Sequence, residues 1–331
     1  MIAPPPEGSR RSRWVRTGLA WLVVMLIAFG AYLLLMTEGV TVSGTISITF
    51  LLVVPAVSCA VISFITDPDG DRGLGHYLAL PFQSLGVVII AGALIMREGV
   101  VCIVLLSPLW LAGGLVGSMA VYYLKKRLRE RGQIFASALL LIPILSVQIE
   151  ERVPVTVRWE TVSNDVLIDA PPERVWPLLL SIRDIGPDEG RWNFTQDVLG
   201  IPRPSEARLH VRVSSAIRSA RWGADIRFEE HILRVEPGRS LAWAFAFPDG
   251  SVRRHTDRHV APDGPQLRIA YGAYELTPTA DGGTRLRLET RYALRTRLNG
   301  YAAWWGGRFL GDIQDNILAI VKERAEVPLA D

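Results

Sequence analysis

Hydrophobic positions change their period along the chain. Up to about residue 150 they form long unbroken runs; from Thr161 they alternate with polar positions, and after Asn299 they recur every three or four residues. The runs are Val15 to Met36, about Thr45 to Ile65, about Tyr77 to Met96 and about Gly99 to Leu124. At about 1.5 Å per residue each is long enough, as a helix, for the roughly 30 Å hydrocarbon layer of a bilayer. The pattern therefore predicts an α-helical membrane bundle over 15–150, preceded by a basic cytoplasmic tail, 1–14.

Three of the runs contain a proline, Pro55, Pro81 and Pro108, which a bundle tolerates where neighbouring groups satisfy the freed carbonyls. Gly113 and Gly117, four apart in the fourth run, would allow close helix contact. No acidic residue, Lys or His lies well inside the four runs. This argues against a proton relay or a transporter of charged substrates, which need such groups at depth. The loop "TDPDGDRGLGH" resembles the start of a calcium loop at Asp67, Asp69 and Asp71. Leu78 stands where the bidentate Glu is required, so a solvated turn is expected.

A fifth apolar segment, Ile134 to Val147, gives only about 21 Å of helix. It is either a short fifth span or an interfacial or re-entrant helix. Arginines 10, 11, 13 and 16 precede the first run and "KKRLRER", Lys125 to Arg131, follows the fourth, which marks both as cytoplasmic. Five crossings, the favoured count, place the rest of the chain on the extracytoplasmic side of an inner or cytoplasmic membrane; four leave it in the cytoplasm.

After a linker at 151–160, "TVSNDVLID" reads as a strand and "PPERVWPLLLSI", Pro171 to Ile182, as a helix opened by prolines. Alternation follows around Arg208 to Val213. It runs on through Trp222, Ala224, Ile226, Phe228, Glu230 and Ile232, then through Leu241, Trp243, Phe245 and Phe247 after the Pro237-Gly238 turn. Strands at Leu267 to Thr277 and Thr284 to Arg295 flank "DGG". A long helix comes last, with a stripe of Ala302, Trp305, Phe309, Ile313, Ile317 and Ile320. Residues 161–326 are thus an α+β unit, with a tail at 327–331.

Charge narrows the options. Lys and Arg exceed Asp and Glu by three overall, and the excess lies in the first 150 residues. A neutral second half does not suit a phosphate backbone, so no nucleic-acid partner is expected. The two cysteines, Cys59 and Cys102, both in apolar runs, offer no disulfide framework. In "RRHTDRH", His255, Asp257 and His259 share one face of a strand, but successive ligands stand roughly 7 Å apart. They read as a solvated face; no metal and no cofactor is expected.

The order of elements, with "VLIDAPPERVWPLL" at Val166 to Leu179, "FEEHILRVEPGRSLAWAF" at Phe228 to Phe245 and the final amphipathic helix, resembles the START-like, Bet v 1-like or SRPBCC superfamily, most nearly its polyketide cyclase/dehydrase-like branch. The resemblance covers about Thr161 to Glu326. It implies a helix-grip fold: a curved antiparallel sheet around a long C-terminal helix, with an apolar cavity between them. The alternation adds candidate lining residues, Trp222, Phe228, Trp243, Tyr271, Tyr292, Trp305 and Phe309, whose rings would either line a cavity or fill it.

Glu230 falls in phase with the apolar positions, where a carboxyl must find a donor or take up a proton. With Tyr271 and Tyr292 it is the acid–base candidate; a structural ion pair with an arginine is the alternative. Three functions follow: a membrane-anchored module binding a lipid or other apolar small molecule, favoured over a cyclase/dehydratase-like enzyme acting on an apolar substrate, and an interaction or assembly protein. The expected partners are the bilayer, an apolar small molecule, and a membrane-protein partner or a second copy.

Overall fold

Each half of the chain holds its own core in the computed structural model, one unit spanning Met1–Val155 and the other Thr156–Asp331. The structure describes residues 48–91, 100–127 and 141–150 of the first, with isolated positions 15, 18 and 22. Of the second it describes 156–327 apart from 213–214, 224, 249 and 253–260, and residues 152–155 join the two. The expected first span, the first half of the 134–147 segment and the "RRHTDRH" strand lie outside the described residues.

The first unit is helical. A π-helical turn, Thr49–Val53, leads into α1, Val54–Thr66; α2 is Leu74–Ala91, α3 Val100–Arg127 and α4 Leu141–Glu150. By length and composition Thr49–Thr66 and Val100–Arg127 suffice to cross a membrane, while Leu74–Ile90 and Leu141–Glu150 are shorter. The Gly113/Gly117 spacing marks a true contact: a Cβ at either would overlap a backbone carbonyl oxygen, that of Leu52 or Ala56. A Cβ at Gly114 would come within 3.0 Å of the Cys59 and Pro81 side chains. Gly113 and Gly117 thus let α3 lie directly against the backbone of the π-helical turn and of α1.

The aspartate loop departs from a solvated turn. Asp67 is buried, accepting from the Tyr77 hydroxyl at 2.7 Å and from the N–H groups of Asp71 and Arg72. Its carbonyl takes a hydrogen bond from Lys125 at the end of α3. Asp69 and Asp71 are exposed as expected. At the other end of α1, the Glu150 carboxylate accepts from the N–H groups of Ile48 and Thr49 at 2.7 and 3.0 Å. A helix start leaves such N–H groups unpaired, and a carboxylate is their natural partner.

The second unit runs β1 (Arg158–Ile168), α5 (Pro172–Leu180), α6 (Phe194–Asp197), β2 (Pro204–Arg212), β3 (Ser215–Trp222), β4 (Ile226–Glu236), β5 (Ser240–Ala246), β6 (Leu267–Pro278), β7 (Thr284–Leu294) and α7 (Asn299–Glu326). Seven strands form one antiparallel sheet in the order β1-β7-β6-β5-β4-β3-β2. The sheet is not strongly curled, unlike the expected form. The alternation through Trp222 to Ile232 is two strands, not one. Gly223, at φ 54°, turns the chain between β3 and β4 where a side chain would be strained.

α7 packs over β1 and β7 through Gly306, Gln314, Leu318, Val321 and Ala325. Gln314 donates to the Val162 carbonyl and the Thr290 hydroxyl at 3.1 and 2.9 Å. Its carboxyl-terminal half is also tied sideways: Asp312 accepts from Thr195, Asn316 donates to Gln196, and Arg324 clasps Glu189 at 2.6 and 2.7 Å. The predicted stripe therefore differs from the packing face over the first half of the helix. Polar anchors and a glycine, which hydrophobic periodicity cannot register, set its rotation.

Candidate functional site

Two buried clusters lie between the sheet and α7. One gathers Val175, Leu179, Leu241, Trp243, Tyr274, Leu286 and Leu318; the other gathers Ile182, Ala220, Ile226, Phe228, Val252 and Ile320, and Phe245 packs against both. Where they meet, the sheet carries an ionic group. Arg218 of β3 and Glu230 of β4 are cross-strand partners, and Phe245 of β5 stands opposite Glu230. Their side chains are only 6 and 7 % exposed, and Arg218 Nη1 donates to Glu230 Oε2. The Arg218 guanidinium carbon lies 6.0 Å from the centre of the Tyr274 ring, which lies 5.1 Å from the Trp243 ring.

Alternation puts these groups inside. On β4, Ile226, Phe228 and Glu230 are buried while Arg227 and His231 point out. On β3 the matching positions are Arg218 and Ala220, and Ala220 leaves room for Phe228 opposite. Tyr274 is inward only because β6 carries a bulge between Ile269 and Tyr271. One extra residue there swaps the faces. Gly272 also follows the bulge, and a Cβ on it would come within 2.5 Å of the Trp243 indole, so glycine lets that ring lie flat across β6.

The same bulge corrects one expectation. Tyr271 pairs with Arg291 and lies on the outer face, beside Trp159, Ala270 and Glu289 around a shallow surface recess of about 540 Å³. Trp222, Phe228, Glu230 and Trp243 do come together inside, with Trp222 edge-on to Phe228 at 5.6 Å. Tyr292 is inward and buried, but its hydroxyl donates to the Ala303 carbonyl at 3.3 Å beneath Gly306, so it anchors α7. Trp305 and Phe309 are half-buried, form their own ring pair at 5.3 Å and belong to neither cluster. Arg218 and Tyr274 are the residues that sequence reasoning missed. Arg218 was legible as the one charged position in phase with Ala216, Ala220 and Trp222; Tyr274 was hidden by the bulge.

Burial pushes the Glu230 carboxyl above its usual range, with Arg218 pulling back. Burial also works against the Arg218 charge, but Glu230 and Tyr274 outweigh it and keep the guanidinium charged. The Tyr274 hydroxyl is pushed up to about 12, chiefly by burial, with Arg218 pulling back and Glu230 adding to the rise. Tyr274 is thus an O–H donor, not a base, at physiological pH. Among the described residues six buried side-chain atoms lack a partner: Arg218 Nε and Trp243 Nε1 in this cluster, and Ser240 Oγ, Gln266 Oε1, Trp305 Nε1 and Gln314 Oε1 elsewhere. Buried polar atoms are ordinarily paired, so two unpaired donors in neighbouring side chains of one cluster stand out. The donors suit an oxygen that gains negative charge.

Strand order 1-7-6-5-4-3-2, two short helices after β1 and a long terminal helix across the sheet decide the architecture. The C-terminal domain has a helix-grip fold. A scan against protein-family models and a search of curated proteins each return no match. Solved structures do match. The di-domain ARO/CYC BexL from the BE-7585A biosynthetic pathway is 14 % identical, covers 66 % of this chain and 64 % of its own, and has a TM-score of 0.35. Truncated norcoclaurine synthase from Thalictrum flavum is 11 % identical, covering 52 and 98 %, with a score of 0.31. Mll3558 from Rhizobium loti is 18 % identical, covering 49 and 99 %, with a score of 0.25.

These neighbours correct one ranking. The sequence favours a binding module over an enzyme, whereas the neighbours with functional names are an ARO/CYC protein of a biosynthetic pathway and a synthase. At such identities and scores no substrate or residue role passes from them to this chain. A role has to come from the Arg218–Glu230–Tyr274 group itself.

Proposed function

We propose that the helix-grip domain is an enzyme of the cyclase/dehydratase kind, acting on an apolar substrate that carries a carbonyl oxygen. The observation that supports this reading is the buried Arg218–Glu230–Tyr274 cluster beside the indole of Trp243. Arg218 Nε–H and the Tyr274 hydroxyl donate to the carbonyl oxygen and stabilise it as it becomes an enolate. Glu230, with its carboxyl raised by burial, keeps Arg218 aimed and is the group suited to exchanging a proton with the substrate. Phe228, Trp243 and Phe245 provide apolar walls against which a planar ring can lie.

The test uses the full-length protein in detergent with a poly-β-ketone as substrate and 2-naphthol as an optical binding probe. Tyr274→Phe keeps the ring and should lower turnover about 10²-fold, the usual cost of one oxyanion donor. The bound naphthol should also lose the acidification that a donor group confers. A Tyr274→Phe protein with unchanged turnover would remove Tyr274 from the mechanism. Wild-type protein that neither binds naphthol nor turns over the ketone would sink the proposal.

The placement of the domain belongs to the same reading. Lys125 lies at the Asp67 end of α1, whereas Glu150, at the end of α4, lies at the Ile48 end. The chain therefore enters and leaves the 128–150 stretch at opposite ends of α1. This supports a fifth crossing, with the domain opposite the basic Lys125 to Arg131 cluster and extracytoplasmic. An Ala280→Cys chain whose Cys59 and Cys102 are replaced by serine should react with an impermeant maleimide in intact cells with a permeabilised outer membrane. Reaction only after inner-membrane lysis would put the domain in the cytoplasm.

A further inference from the structure

The end of the helix-grip domain at which the chain enters it differs from the rest of its surface. β1 begins at Arg158, which pairs with Leu294 at the end of β7, and Asn299 Nδ2 at the start of α7 donates to the Thr156 carbonyl at 2.9 Å. The first turns of α7, the end of β7 and the incoming chain are therefore held together. Trp304 is 61 % exposed on α7 and Trp159 is 47 % exposed on β1. Exposed Arg158 and Arg291 flank Trp159, the Arg291 guanidinium lying 4.9 Å over its ring; exposed Arg295 follows the end of β7, and exposed Arg308 is one turn along α7 from Trp304. Glu160, bonded to Arg158, and Glu289 offset only part of this charge.

The geometry points to this end as a docking surface for an anionic lipid headgroup layer. The inference rests on the reading of the first unit as membrane-embedded. Large exposed indoles are costly in water but favoured at the level of lipid headgroups, where the ring sits between apolar and polar layers. Arginines beside them complement anionic lipid and are drawn to it within a Debye length. The tether keeps the domain close to any bilayer that holds the first unit: from Glu150 to Arg158 the extended chain reaches at most about 28 Å. Docked in this way, the domain presents the amino-terminal end of α7 to the lipid from which an apolar substrate would come.

The experiment uses the full chain in lipid nanodiscs of phosphatidylcholine with phosphatidylglycerol, some lipids carrying a shallow nitroxide quencher. A fluorophore is placed at Gly300→Cys, where an added Cβ meets nothing within 4 Å, and in a second chain at Ala280→Cys on the turn between β6 and β7. A third chain carries it on native Cys102 of α3, tested with a deep quencher. The label at 300 should be quenched about threefold more than that at 280, as expected for a probe at headgroup level. The excess should vanish in Trp304→Ser/Arg308→Glu. Equal quenching at 300 and 280, or an excess that survives the double substitution, overturns the docking surface if Cys102 is quenched. An unquenched Cys102 overturns the membrane reading and the docking surface with it.

Discussion

Arg218→Met should destabilise the C-terminal domain by about 3–5 kcal/mol, the usual cost of leaving one partner of a buried ion pair uncompensated. Glu230 has no water to turn to: its side chain is 7 % exposed and lies opposite Phe245. Without the guanidinium its carboxyl escapes by taking up a proton, so its pKa in the folded state rises further above that of the unfolded chain. A group shifted in this direction supports folding at low pH and loses that support as pH rises through the shifted value. The variant should therefore be least impaired in mild acid and worst in mild alkali. Arg218→Met/Glu230→Gln should recover much of the loss, since it replaces a stranded charge by neutral groups of similar size. Denaturant unfolding followed by tryptophan fluorescence at two pH values measures all three proteins. A single variant as stable as wild type at every pH would mean that the pair is open to water.

The second large effect lies in the helical unit. Gly117→Leu should separate α3 from α1, because even a Cβ at this position overlaps the Ala56 backbone, which cannot move aside as a side chain can. Overpacking ordinarily costs about 1–3 kcal/mol, and a backbone clash with no rotamer to relieve it belongs at or above the upper end. Gly86→Ala is the control. A Cβ there meets nothing within 4 Å, and the helix gains roughly 0.8–1 kcal/mol of propensity. Thermal unfolding in detergent should move down for the first and stay level or rise for the second. Equal midpoints would show that the α1–α3 seam does not hold the unit together.

Much of the candidate site was legible from periodicity, and the exceptions have definite causes. Glu230 was marked as inward by its phase with Ile226 and Phe228, and no irregularity in β4 intervenes before Ile232. Arg218 was legible by its phase with Ala216, Ala220 and Trp222, but its pairing with Glu230 depends on the register of β3 against β4. Tyr271 and Tyr274 exchanged places because a single bulge between Ile269 and Tyr271 breaks the period of two, and neither residue type signals it. Trp305 and Phe309 obeyed the helical period but not the helix's rotation. Gln314, Asn316 and Arg324 set that rotation through bonds to partners over 20 residues away.

The sequence by itself determined the division into an apolar helical half and an α+β half, the order of elements in the second and the inward phase of β4. Hydrophobic burial imposes these patterns locally, with a period of 3.6 on helices and two on strands. The meeting of Arg218, Glu230 and Tyr274, and of Glu150 with the start of α1, was decided only by the tertiary structure. Each depends on strand register, a bulge or helix packing between segments distant in the chain, and those are settled by the summed contacts of whole elements rather than by any residue's neighbours in sequence.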